Sequence, residues 1–152
     1  MKIAAHENPV RRPVPSFMLR VSLNDLDGEE NYEQLWAKRL GEDRFEVSCI
    51  PFFAYDLALG DIVRADAGTG YAVQSVERRS GNGVVRIAVK RRDDVDAVHV
   101  RLHDLLGRLE YLHEWFAPGY VAVSLEPGTS HVEFFEGVAA LGEVVDVERI
   151  LI

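Results

Sequence analysis

Apolar and polar residues alternate over most of the first ninety positions, then apolar residues recur every three or four, so the chain changes from strands to helices along its length. Phe17 to Leu23 alternates weakly and is closed by Asn24-Asp25-Leu26-Asp27-Gly28, residues that favour turns. Tyr32 to Leu40 is the next strand, although its Leu35-Trp36-Ala37 centre also suits a helix. Gly41-Glu42-Asp43 leads into Arg44 to Ile50, where alternation puts Phe45, Val47 and Cys49 on one apolar face. Pro51 halts regular pairing, and the aromatic run Phe52-Phe53-Ala54-Tyr55 is expected to fold back over the end of a small barrel. Ile62 to Ala65 and Tyr71 to Glu77 flank a turn at Gly68-Thr69-Gly70. Ser80-Gly81-Asn82-Gly83 then connects to Val84 to Lys90, which should pair with Tyr71 to Glu77 as an antiparallel hairpin. Its Val85, Ile87 and Val89 face the core, with Arg86, Ala88 and Lys90 on a wetter side.

After Arg91-Arg92 the apolar stripe Val95, Val98, Leu102, Leu105, Leu106, Leu109, Leu112 and Phe116 predicts a long amphipathic helix, ended by Pro118-Gly119. Tyr120 to Glu126 is again a strand. A second helix should start near Ser130, where Ser130 and Glu133 have the spacing of a capping box, and stop at Gly142. Val144 to Ile152 supplies the last strand. The expected fold is therefore α+β. It has an N-terminal small β-barrel-like half followed by a C-terminal strand-helix-strand-helix-strand lobe with a mixed sheet. Residues 1–15, rich in proline and without periodicity, read as a mobile or loosely docked arm. Residues 16–83 form the β-rich half and 84–152 the α/β lobe, the two making one compact unit.

Composition narrows the classes. The chain has 152 residues and net charge −8, with a pI near 5.1, which argues against nucleic acid or an anionic membrane as partner. No apolar run is long enough for a transmembrane helix, and the single cysteine, Cys49, suits a cytoplasmic protein. The acids are unevenly placed: residues 1–90 hold 12 Lys and Arg against 13 Asp and Glu, whereas 91–152 hold 5 against 12.

That asymmetry makes a non-enzymatic acidic protein-interaction module the leading expectation. Glu126, Glu133, Glu136, Glu143 and Asp146 would face a partner with a basic surface, as an immunity or antitoxin protein does. The alternative is a small-molecule-binding regulatory domain whose ligand is lined by Trp36, Phe52, Phe53 and Tyr55. A metal-dependent enzyme comes third: His99 and His103 have the four-residue spacing of helical ligands, with His113 or His131 as distant additions. Two ligands make no zinc site, so no metal and no cofactor is assigned. Cys49 is expected to be a buried structural thiol without a nearby base. No serine sits in a nucleophile-elbow context.

The central stretch carries a resemblance. Leu35-Trp36-Ala37, Phe45-Glu46-Val47, Ile50-Pro51-Phe52-Phe53-Ala54-Tyr55 and Leu59-Gly60-Asp61-Ile62-Val63 resemble a bacterial domain-of-unknown-function family, DUF4265. The similarity covers most of residues 30–150 and is strongest over 32–66. It implies no catalytic residue; the shared pattern marks a fold, with Gly60-Asp61 supplying a tight turn.

Overall fold

The structure is a computed structural model that describes residues 2–11, 16–23 and 31–150. Its strands are β1 (Lys2–Ala4), β2 (Phe17–Leu23), β3 (Asn31–Arg39), β4 (Arg44–Val47), β5 (Ile62–Arg64), β6 (Ser75–Arg78), β7 (Gly83–Val89), β8 (His113–Ala117), β9 (Tyr120–Leu125) and β10 (Val145–Ile150). The helices are α1 (Val95–Arg108) and α2 (Val132–Ala139). The α+β class expected from the alternating and helical periods is observed.

The first sheet has the order β1-β3-β4-β5-β6, with β2 on the other side of β3. Alternation explains its core: Leu35 and Ala37 of β3 share a face with Phe45 and Val47 of β4 and with Leu19 of β2. The sheet curls until the chain ahead of β6 meets β2 at a single bridge, Arg20 to Ala72. One bridge does not close a barrel. The barrel-like half is therefore an open, curled sheet among the described residues.

The second sheet has the order β10-β7-β9-β8, antiparallel at every pairing. The chain visits it as β7-α1-β8-β9-α2-β10, the βαββαβ arrangement of ferredoxin-like domains. Three expectations change here. The mixed sheet is the first one, because β1 runs parallel to β3, whereas each helical crossover in the second sheet spans an intervening strand. The expected hairpin of Tyr71 to Lys90 does not form, since β6 pairs with β5 and β7 with β9 and β10. The long helix also stops earlier, leaving Leu112 in a loop and Phe116 on β8, which the helical period had hidden.

Both helices cover one face of the second sheet, burying Val98, Leu102, Leu106, Phe134 and Val138 against Val85, Ile87, Val121 and Val123. The opposite face is also buried. Residues 50–59 lie across it, with Ile50, Phe52, Ala58 and Leu59 against Val84 and Ala122. Arg86, expected on a wetter side, is 2% exposed for that reason.

Over the residues described, the N-terminal arm is docked. β1 pairs with β3, Arg11 donates to the Ser48 carbonyl at 3.1 Å, and His6 is 4% exposed. Arg12, Pro13 and Pro15, the Asn24 to Gly28 turn and the last two residues lie outside the described residues. Among the described residues no helix is long and apolar enough to cross a membrane.

Candidate functional site: a buried charge lock behind an aromatic cleft

β3 places Glu33 in the same alternation as Leu35 and Ala37, so its carboxylate points into the core and is fully buried. A buried carboxylate needs partners. Glu33 Oε1 accepts from the amides of Phe53 and Ala54 at 2.9 and 2.8 Å. Its Oε2 accepts from the Phe52 amide at 2.6 Å and from His6 Nε2 at 2.7 Å. Three consecutive N–H groups after Pro51 thus wrap one anion. On the far side of the ring, His6 Nδ1 donates to Glu114 Oε1 at 2.7 Å. Glu114 Oε2 accepts from the Ile50 amide at 2.6 Å and, more weakly, from the Val10 amide at 3.5 Å.

His6 therefore bridges the first sheet through Glu33 and the second through Glu114 of β8. Its ring stacks flat on Phe52, with centroids 4.2 Å apart, and Trp36 Nε1 donates to its backbone carbonyl at 3.0 Å. Donation from both ring nitrogens requires the imidazolium. Burial lowers the His6 pKa, but hydrogen bonds with Cys49, Glu114 and Glu33 outweigh it and push the value from 6.5 up to about 11. A ring that keeps its proton through neutral pH and has both nitrogens engaged is no general base. Burial pushes the Cys49 thiol up; its Sγ donates to the Trp36 carbonyl at 3.9 Å. The thiol is buried as expected, yet it rests against a histidine, which the strand pattern alone did not reveal.

The lock shapes what stands in front of it. With the amides of residues 52–54 fixed on Glu33, Phe53 and Tyr55 project outward, and Phe53 meets Phe116 edge-on at 5.0 Å and stacks on Tyr120 at 5.3 Å. Beneath this segment Arg86 Nη2 donates to the carbonyls of Pro51 and Ala54 at 3.0 and 3.3 Å. The Arg86 guanidinium carbon lies 4.8 Å from the centroid of the Tyr55 ring. In front is a cleft of about 650 Å³ whose wall includes Ile3, Leu23, Phe53, Tyr55 and Phe116, with Asn31 and Asp56 among its polar groups. That volume falls within the roughly 300–1,000 Å³ usual for small-molecule sites.

Of the four aromatic residues expected to line a ligand, Phe53 and Tyr55 face the cleft, Phe52 is buried against His6, and Trp36 caps the His6 carbonyl. The five expected partner-binding acids are all exposed, but they do not share a face. Asp146 pairs across from Ala88 and Val147 from Ile87; Ile87 faces the helices, so Asp146 points to the opposite side from Glu133 and Glu136 on α2. Glu133 pairs with Arg108 at 3.1 Å and Asp146 with Lys90 at 3.6 Å. Glu143 follows α2, and Glu126 follows β9.

His99 and His103 sit 6.2 Å apart between ring centroids. His99 is occupied as a donor to the Pro118 carbonyl at 3.0 Å, and its ring packs on Trp115 at 4.3 Å. Among the described residues no group of three or more His, Cys, Asp or Glu side chains is placed to hold a metal ion. Sequence reasoning missed His6, Glu33, Arg86 and Glu114. Glu33 had a detectable signal, since it breaks an apolar alternation; Glu114 had none, because the apolar stripe of α1 runs on past it and the helix stop at Glu110, with φ +59°, is seen only in the structure.

Fold and site together define a two-sheet α+β protein with a ferredoxin-like lobe, whose sheets are joined by a buried histidine–dicarboxylate bridge. The chain belongs to the DUF4265 family, a domain of unknown function, whose profile matches residues 33–148. The match takes in Glu33, Cys49 and Glu114 and stops short of His6. Gly60 and Asp61, part of the shared pattern, serve the fold. Gly60 has φ +86°, and an added Cβ would stand 3.1 Å from the Cβ of Ser80. The buried Asp61 carboxylate accepts from the Ala58 and Ser80 amides at 3.0 and 2.8 Å. A crystal structure of a hypothetical protein from Neisseria gonorrhoeae is similar over 87% of this chain and 93% of its own, with a TM-score of 0.60 and 20% identity. That likeness concerns the fold alone. No curated protein matches the chain.

Proposed function

We propose that the chain is a small-molecule-binding domain that holds its ligand in the cleft among Phe53, Tyr55 and Phe116. One observation carries this reading: three large apolar side chains left in water, Ile3 at 51%, Tyr55 at 48% and Phe116 at 46% exposure, converge on a single cleft. Exposed apolar surface gathered around a concavity favours a ligand over plain solvation. Among its described residues the wall contains one acid, Asp56, and no histidine, lysine, arginine or cysteine. It is therefore equipped to bind and orient rather than to move protons. Asp146 lies on the opposite side of the second sheet from Glu133 and Glu136, so the five acids do not form one surface, which favours the cleft reading. Residence in a reducing compartment such as the cytoplasm is supported by the unpaired, buried Cys49.

A thermal-melt screen against metabolite-like compounds tests the reading. A ligand at a hundred times its Kd adds about 2.7 kcal/mol, which raises the melting temperature by several degrees in a chain of this size. The shift should disappear in Phe116→Ala while that variant keeps its far-UV circular dichroism. A broad screen that moves nothing, or a shift that survives Phe116→Ala undiminished, would overturn the proposal.

A further inference from the structure

The chemistry of the cleft wall goes further than its shape. We propose that it takes an organic cation, a protonated amine carried on an apolar or aromatic body. The inference rests on the ligand-binding reading above and adds the ligand's charge. Among the described residues of the wall Asp56 is the only charged side chain; it is exposed, and its carboxylate makes no ion pair with a described residue. Asn31 Oδ1, on the same wall, is buried with no hydrogen-bond partner. An unmet acceptor and a free carboxylate on one wall favour a group with several donors and no acceptor, which is what an ammonium is. A neutral alcohol would satisfy Asn31 Oδ1 while gaining little from Asp56, and a carboxylate would meet repulsion from Asp56.

The rings agree with that charge. Phe53 and Phe116 present aromatic surface on the wall, and a cation over an aromatic face is attracted by the ring's quadrupole. The neighbouring rings already behave this way: Arg86 sits under Tyr55, and Arg20 lies 5.0 Å from the Tyr32 centroid. Of the cations near the cleft, Arg86 is buried beneath the wall, where Nη2 donates to two carbonyls while Nε and Nη1 have no hydrogen-bond partner; Arg20 and Arg79 are engaged elsewhere. Arg20 Nη2 donates to the Thr69 carbonyl at 3.0 Å. Arg79 Nη1 donates to the Asp56 carbonyl and lies 3.3 Å from Asp61 Oδ2. The net charge of −8 concentrates cations at the surface and disfavours anions.

Three probes of one shape and different charge test the inference by calorimetry on the full chain at pH 7: tryptamine, indole-3-ethanol and indole-3-acetate. Tryptamine should bind at least about tenfold more tightly than the alcohol, with the acetate weakest, and Asp56→Asn should erase the preference while the alcohol's affinity stays within about twofold. Equal affinity for amine and alcohol would overturn the inference, as would a preference that survives Asp56→Asn. Failure of all three probes overturns it too. In that case a neutral or anionic hit from the broad screen, lost in Phe116→Ala, leaves the cleft reading standing, whereas a screen without hits removes both.

Discussion

His6 is held as a cation by two carboxylates at 2.7 Å in an interior where an isolated charge would not survive. The consequence is a pH dependence of sign opposite to that of ordinary acid denaturation. The folded-state pKa of about 11 stands above the unfolded value of 6.5. Below 6.5 the stabilisation is fully present. Between 6.5 and 11 the folded chain keeps a proton that the unfolded chain gives up, so stability falls as pH rises, at up to about 1.4 kcal/mol per pH unit. Urea titrations from pH 6 to 10 should show this slope, and His6→Gln should flatten it while costing roughly 3–5 kcal/mol, because both carboxylates are left buried without a counter-charge. An unchanged slope in His6→Gln would assign the proton to another group. Sequence held part of this arrangement: an acid in step with Leu35 and Ala37 announces a buried charge with a partner. The partner was illegible, because His6 lies in a proline-bounded segment without periodicity, 27 and 108 residues from the groups it joins.

The helical elements show where periodicity misleads. Leu109, Leu112 and Phe116 continue the apolar stripe of α1 beyond its true end, because a strand that follows at once can place its apolar residues in the same rhythm. What stops the helix is backbone geometry. Tyr111 N donates to the Leu106 carbonyl at 3.0 Å and Glu110 N to that of Gly107 at 3.2 Å, a Schellman ending with Glu110 at φ +59° where glycine is usual. Glu110→Gly should raise stability by about 1 kcal/mol in chemical denaturation. The expected capping box of α2 fails for a related reason: His131 is the N-cap and makes no side-chain cap, while Glu133 turns to Arg108. The two helices also yield a matched glycine test. A Cβ on Gly137 of α2 would come within 2.6 Å of Leu105 Cδ1, whereas one on Gly107 of α1 meets nothing within 4 Å. Leu105 is 8% exposed and has little room to yield. Gly137→Ala should therefore cost about 1–2 kcal/mol despite the better helix propensity of alanine, and Gly107→Ala should gain up to about 1 kcal/mol. Equal effects from the two substitutions would deny the close helix approach.

At the scale of the molecule, two sheets with separate cores are tied together by residues 50–59 and by the His6 bridge. The apolar patterns announced both sheets. They did not announce the junction, which consists of backbone amides and charges with no periodicity to read. The helical crossovers were legible, but the β8–β9 hairpin was absorbed into a predicted helix, and with it went the βαββαβ topology. The junction should govern cooperativity, since a buried charge exposed on one side destabilises both sides at once. The chain carries two tryptophans, Trp36 in the first sheet and Trp115 in the second, so each sheet has its own fluorophore. Trp115→Phe leaves a reporter on the first sheet and Trp36→Phe one on the second, the latter losing the bond to the His6 carbonyl at a cost of about 1 kcal/mol. Denaturation followed by fluorescence in each single-tryptophan variant should coincide with its own far-UV circular dichroism, as one two-state transition requires. Adding Glu114→Gln removes the charge through which the second sheet holds His6 while keeping the shape of the side chain. The curves should then separate, with the first sheet, which retains Glu33 and its three amides, unfolding at the higher denaturant concentration. Curves that stay superimposed with Glu114→Gln would mean that the apolar contacts of residues 50–59 couple the sheets unaided and that the charge bridge contributes stability without cooperativity.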